Sequence, residues 1–216
     1  PEDFEGNTIS ARGYIVKHVC SNPSNFRSKG DLDTYLRERN IIGLFGIDTR
    51  ELTKILREQG TMNGMITLDP ENAELDKIKS YSIKNAVENV SVKEKAVLNP
   101  RGKYTIALMD FGYKENIARE LIKRDCKVVL LPHDAAINNI IDQKAEGIVL
   151  SNGPGDPADN PLIINNLKQI INSGIPIFGI CLGHQLLALS QGFKTKKLKY
   201  GHRGSNQPVK DLNTGK

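Results

Sequence analysis

Residues 175–189 read Ile175-Pro-Ile-Phe-Gly-Ile-Cys-Leu-Gly-His-Gln-Leu-Leu-Ala-Leu189. The first part, Ile175–Ile180, is a short apolar run with the character of a buried strand, and Leu182–Gln191 carries helical spacing. A single thiol, Cys181, stands at the join between Gly179 and Gly183. Gly-x-Cys-x-Gly at a strand-to-helix join has the form of a nucleophile elbow. The turn strains the backbone of the central residue, and side chains two positions either way would collide with neighbouring elements. A thiol there sits at a helix N-terminus, whose dipole favours thiolate. Such placement lowers a cysteine pKa from about 8.5 toward roughly 3.5–7.5. The residue after the nucleophile commonly offers its N–H to an oxyanion, which makes the Leu182 backbone a candidate donor. The alternative is a buried packing cysteine, since free cysteine is among the most buried residue types.

Upstream of this elbow the second half of the chain repeats the same strand-then-helix rhythm. Tyr104–Asp110 is a short apolar run, and Lys114–Arg124 has Ile117, Leu121 and Ile122 at helical spacing. Lys127–Leu131 reads as a strand, Ile137–Gln143 as a short helix, Gly147–Leu150 as a strand and Pro161–Ser173 as a helix. Strands and helices alternating in this way predict βαβ units in a parallel sheet with right-handed crossovers. The fold class expected is α/β, a doubly wound, mostly parallel sheet preceded by a smaller mixed α/β domain. Ligands in such sheets bind beyond the carboxyl ends of the strands.

The first half is less regular. Ala11–Val19 alternates as a strand, Asp31–Arg39 places Leu32, Tyr35 and Leu36 at helical spacing, and Met62–Leu68 has strand character. Asp48–Gly60 is the strongest helix signal. Asp48 and Glu51 form a capping-box pair, Leu52, Ile55 and Leu56 an apolar stripe, and Gly60 a C-terminal stop. From Asp69 to Lys103 charges multiply, ending in Asn99-Pro-Arg-Gly102, a connection between domains spanning 1–99 and 100–216.

Of the 216 residues, 38% are apolar and 25% charged, with no run of about 18 apolar residues that would span a membrane. The acidic, polar start is unlike a signal peptide. Cys20, Cys126 and Cys181 form no CxxC pair, which predicts reduced thiols, a cytoplasmic setting and no metal site. Net charge is +5, and its densest basic patch, Lys194–Lys199, reads as a solvated face rather than a nucleic-acid surface because few aromatics interleave it.

Three further fragments bear on chemistry. Ser151-Asn-Gly-Pro-Gly-Asp-Pro157 is either a plain turn or a loop whose Gly153 and Gly155 let backbone N–H groups approach an anion. It lacks the P-loop pattern. Asp110-Phe-Gly112 matches a kinase triplet, but without the accompanying kinase motifs Gly112 reads as a strand-to-helix turn. His184, three residues after Cys181 on the same helix, points one turn along it and reads as a packing or positioning residue rather than a base.

Phe178-Gly-Ile-Cys-Leu-Gly-His-Gln185, preceded by the Ser151–Pro157 loop, resembles the class I, triad-type glutamine amidotransferases. Asp110–Ile117, Ser24-Asn-Phe-Arg27, Gly46–Thr53, Asn63-Gly64 and Lys199–Asp211 narrow the resemblance to the small, glutamine-hydrolysing subunits of carbamoyl phosphate synthetases. The resemblance implies that Cys181 attacks the side-chain amide of L-glutamine, that Gly153, Gly155 and Leu182 line the glutamine and oxyanion site, and that Gln185 contacts substrate. It implies ammonia transfer to a large subunit that uses bicarbonate and two ATP, with ATP and Mg on that subunit and no cofactor on this one. It implies carbamoyl phosphate synthesis for arginine and pyrimidines, with no nucleic-acid or membrane partner. In the family a downstream His and Glu serve the cysteine. That pair is not found before Lys216, so the chain is expected to be an internal piece of the subunit, nearly inactive alone. The rival readings are another class I amidotransferase and a catalytically silent interaction module.

Overall fold

The computed structural model describes residues 4–6, 9–199, 201 and 210–215, in two compact units. Most of the Lys199–Asp211 motif lies outside the described residues.

One unit comprises residues 11–81 and 196–216. Strand β1 (Gly13–Ile15) pairs in parallel with β2 (Ile42–Leu44), and the helix α1 (Leu32–Arg37) lies between them in sequence. Asp31 caps α1 by accepting the Thr34 N–H at 2.8 Å. Helix α2 (Thr49–Gln59) begins and ends where its punctuation predicts: Asp48 accepts the N–H groups of Arg50 and Glu51 at 3.0 and 3.1 Å, and Gly60 follows at φ 93°. Only half of the expected capping box forms, because the Glu51 carboxylate turns outward to Lys54 at 3.2 Å. No residue of the α2 stripe is buried, and Ile55 is 40% exposed.

The strand expected over Met62–Leu68 is absent. The segment is drawn aside by side-chain bonds instead. The Asn63 amide donates to the carbonyls of Ile78 and Tyr81 at the end of α3 (Leu75–Ser80), and the Thr67 hydroxyl accepts from the Asp69 N–H. Polar side chains here compete with a ladder, as they do in turns.

The other unit, residues 1–10 and 82–195, contains the five-stranded sheet. Its elements are β3 (Ala96–Leu98), β4 (Tyr104–Met109), α4 (Glu115–Ile122), β5 (Cys126–Leu131), α5 (Ile137–Ile141), β6 (Gly147–Leu150), α6 (Pro161–Ile171), β7 (Ile177–Gly179) and α7 (Leu182–Ser190). The order across the sheet is β3-β5-β4-β6-β7, parallel except for β3. After the antiparallel β3, the parallel part starts at β4, adds β5 on one side and then β6 and β7 on the other, so the topological switch lies between β4 and β6.

Alternation divides the strands between two cores. Ala107, Met109, Val129, Leu131, Ile148 and Leu150 face the helices α5, α6 and α7, where Ile140, Ile163, Leu167, Ile170 and Leu186 are fully or almost fully buried. Leu108, Val128, Leu130 and Val149 face the opposite way, toward Ala118, Ile117 and Leu121 of α4. Three helices cover one face and one covers the other. The strand β3 was not expected from its three residues; it is set by antiparallel pairing of Val97 with Val129.

Candidate active site

Three strand ends meet at the switch: Asp110 after β4, Ser151 after β6 and Cys181 after β7. Cys181 has φ 51° and ψ −107°, outside the ordinary regions for a side-chain-bearing residue, which costs about 1–3 kcal/mol. The turn survives because its neighbours close on it. The Ile180 N–H bonds the Leu150 carbonyl at 2.9 Å, the Gly183 N–H bonds the Ser151 carbonyl at 3.1 Å, and the Gln185 N–H bonds the Cys181 carbonyl at 3.1 Å. A Cβ on Gly179 would lie 2.7 Å from the His184 backbone, and one on Gly183 would lie 2.6 Å from the Leu150 Cβ. Both glycines are therefore required by close approach.

The Cys181 side chain is exposed, which removes the packing alternative; the buried thiol is Cys126. Burial, followed by the nearby Asp125 carboxylate, pushes the Cys126 thiol above its ordinary pKa. Iodoacetamide is therefore expected to alkylate Cys20 and Cys181 in the native protein and to reach Cys126 only on unfolding. Peptide mass mapping with and without denaturant reads this directly, and rapid native labelling of Cys126 would contradict the fold.

Cys181 opens into a groove of about 790 Å³ with Gly153, Asn152, Phe178, Ile180 and, from α4, Ile117. Charges edge it. Glu120 is held at a pKa of about 2 by hydrogen bonds from Lys123 and Arg124, so it remains a carboxylate at neutral pH. Phe178, on β7, is 66% exposed.

Leu182 is buried, and its N–H, at the first position of α7, has no acceptor among the described residues. Gly153 lies against it: a Cβ there would be 2.6 Å from the Leu182 Cδ2. The Gly153 N–H likewise has no acceptor among the described residues. Cys181, Leu182 and Gly153 thus come together. Gly155, at φ 87°, lies instead along a second hollow of about 370 Å³ with Ala86, Lys84 and Asp159. Gln185 is exposed on α7, and the His184 side chain is also exposed rather than packed. No hydrogen bond joins the Cys181 sulfur to a base among the described residues.

Asp110, Ser151 and Asn152 lie within fragments that the sequence marked, but it gave none of them a role of its own. Asp110 is 1% exposed, and its carboxylate accepts N–H groups from Gly112 and Tyr113 at 2.8 Å each and from Val92 at 2.7 Å. The signal available was a carboxylate and two small polar residues at strand ends, but Ser151 and Asn152 find their partners in the segment after β4, about forty residues away.

The family model of glutamine amidotransferase class-I matches residues 107–216, and that of the carbamoyl-phosphate synthase small chain, CPSase domain, matches residues 1–66. The chain is 49% identical to the carbamoyl phosphate synthase small chain of Clostridium perfringens over 98% of its own length and 60% of that protein's. It is 48% identical to the small chain of Bacillus cereus and 46% identical to the pyrimidine-specific small chain of Bacillus subtilis, in each case over 100% of this chain and 59% of the relative. The chain therefore spans about 60% of the length of the relatives it matches.

Proposed function

Because this chain belongs to the class-I glutamine amidotransferase family, we propose that it carries the nucleophile and oxyanion site of a glutaminase. The Cys181 thiolate attacks the side-chain amide carbon of L-glutamine. The carbonyl electrons move onto oxygen, where the N–H groups of Leu182 and Gly153 receive the charge. Collapse breaks the C–N bond, the nitrogen takes up the proton that the base removed from the thiol and leaves as ammonia, and a γ-glutamyl thioester remains. Water then attacks the thioester, releasing glutamate and restoring the thiolate. Gly155 and Gln185 complete the glutamine site in this reading.

The observation that carries the proposal is the exposed Cys181 at φ 51°, at a helix start, sharing a groove with Gly153 and next to Leu182, the N–H groups of both having no acceptor among the described residues. Similarity to carbamoyl phosphate synthase small chains extends the reading. The ammonia passes to a large-subunit partner, which binds ATP and Mg and makes carbamoyl phosphate from bicarbonate for arginine and pyrimidine synthesis in the cytoplasm. The base that serves Cys181 is supplied by residues other than those described.

The test is an electrophilic glutamine analogue followed by intact-mass analysis of the full-length protein. One adduct is expected, located at Cys181 and lost in Cys181→Ala. A protein that leaves Cys181 unmodified at saturating analogue is the silent interaction module instead, a reading favoured by the lack of a hydrogen bond from the Cys181 sulfur to a base among the described residues.

A further inference from the structure

The loop that presents Gly153 is pinned from below by side chains that a simple Gly-Pro-Gly turn does not need. Ser151 is fully buried; its hydroxyl accepts the Phe111 N–H at 2.9 Å and donates to the Asn152 carbonyl at 2.8 Å. Asn152 uses both ends of its amide. Nδ2 donates to the Gly112 carbonyl at 2.9 Å, and Oδ1 accepts the Lys114 N–H at 3.2 Å. An asparagine in an ordinary turn bonds its own backbone two residues on. This one reaches across to the loop after β4, forty residues away in sequence.

That receiving loop is itself held. The buried Asp110 carboxylate gathers the N–H groups of Gly112, Tyr113 and Val92. A chain of bonds therefore runs from Asp110 through the Phe111–Lys114 backbone to Ser151 and Asn152, and ends one residue before Gly153. Gly153 has no side chain to anchor it, and a Cβ there would collide with the Phe111 carbonyl and the Leu182 side chain.

We propose that Asn152, with Ser151 beneath it, is a positioning residue that holds the Gly153 N–H where negative charge develops during attack on the amide. Oxyanion donors act only if preorganised at about 2.7–3.1 Å from the developing charge. Binding groups generally need placement within about 0.5 Å. A glycine flanked by rotatable bonds meets that demand only when its neighbour is fixed, and the two Asn152 bonds fix it against the loop after β4. The inference rests on the glutaminase reading above.

The test uses the full-length protein and three measurements: glutamine hydrolysis, inhibition by an aldehyde analogue of glutamine that forms a tetrahedral adduct with the thiol, and alkylation by iodoacetamide, which needs no oxyanion donor. Asn152→Ala is expected to lower kcat about tenfold to a hundredfold with little change in KM. Affinity for the aldehyde falls by a similar factor, and iodoacetamide alkylation of Cys181 keeps its rate. Asn152→Asp retains the acceptor for Lys114 but loses the donor to Gly112, so it falls between; it also decides the matter if the alanine variant does not fold. A folded variant with kcat within about twofold of the parent overturns the proposal, as does a parallel loss of iodoacetamide reactivity, which would mean general disruption of the elbow. A parent protein that neither hydrolyses glutamine nor binds the aldehyde refutes the glutaminase reading itself, a result distinguishable from failure of the pin alone.

Discussion

Replacing Cys181 with alanine in the full-length protein is expected to reduce glutamine hydrolysis by about four orders of magnitude or more, because no other group can form the thioester. The fold is expected to persist. The side chain is exposed, so its removal leaves no cavity, and the turn is held by backbone bonds from Ile180, Gly183 and Gln185 that the substitution leaves alone. A companion variant separates chemistry from strain. Cys181→Gly is equally inactive, but glycine accepts φ 51° without the penalty that alanine and cysteine share. Glycine ordinarily costs about 0.5–1 kcal/mol relative to alanine. Here Cys181→Gly is expected to be at least as stable as Cys181→Ala in urea denaturation. Were the alanine variant clearly the more stable, the strain attributed to the elbow would not exist. Glutamine turnover by the alanine variant within tenfold of the parent would remove Cys181 from the chemistry altogether.

The second large effect is at Gly183. It is the second residue of α7, where alanine is normally the better helix former by about 1 kcal/mol. Gly183→Ala is nevertheless expected to destabilise the protein by about 3 kcal/mol. The new Cβ would lie 2.6 Å from the Leu150 Cβ and closer still to the Leu150 carbonyl. That carbonyl is bonded to Ile180, and Leu150 is fully buried on β6, paired to both β4 and β7. Neither side can yield without moving the strand from which Gly153 is reached. Activity falls with stability. Gly30→Ala, where a Cβ meets nothing within 4 Å, is the matched control and is expected to leave the urea midpoint almost unchanged. Equal midpoints for the two variants would show that α7 does not pack on β6 as closely as described.

Most of the parallel sheet was legible before any coordinates. The runs at 104–110, 127–131 and 147–150 are apolar because both faces of their strands are covered, and the helices between them carry stripes of the right period. Capping was legible at Asp48, since an N-cap is a bond between residues two or three apart. The misses share the opposite property. The strands β2 and β3, three residues each, exist because a partner strand supplies their bonds. Met62–Leu68 has the apolar content of a strand, yet Asn63 spends its amide on carbonyls of residues 78–81, contacts that no local pattern announces.

The site divides along the same line. The sequence by itself determined the elbow: glycines two residues either side of Cys181, a strand before it and a helix after it are local facts, and local sterics demand them. It also marked Gly153 as a residue able to approach a ligand. Only the tertiary structure decided that Gly153 faces Leu182 while Gly155 turns toward Ala86, and that Cys181 is exposed while Cys126 is buried. It alone joined Asp110, Ser151 and Asn152 into one set of bonds. The physical reason is the order of the strands. The ends of β4 and β6 are about forty residues apart along the chain and become neighbours only when the sheet places them side by side. Ser151 and Asn152 therefore find their partners at Phe111, Gly112 and Lys114 across the ladder, while Asp110 bonds the N–H groups just after it and that of Val92.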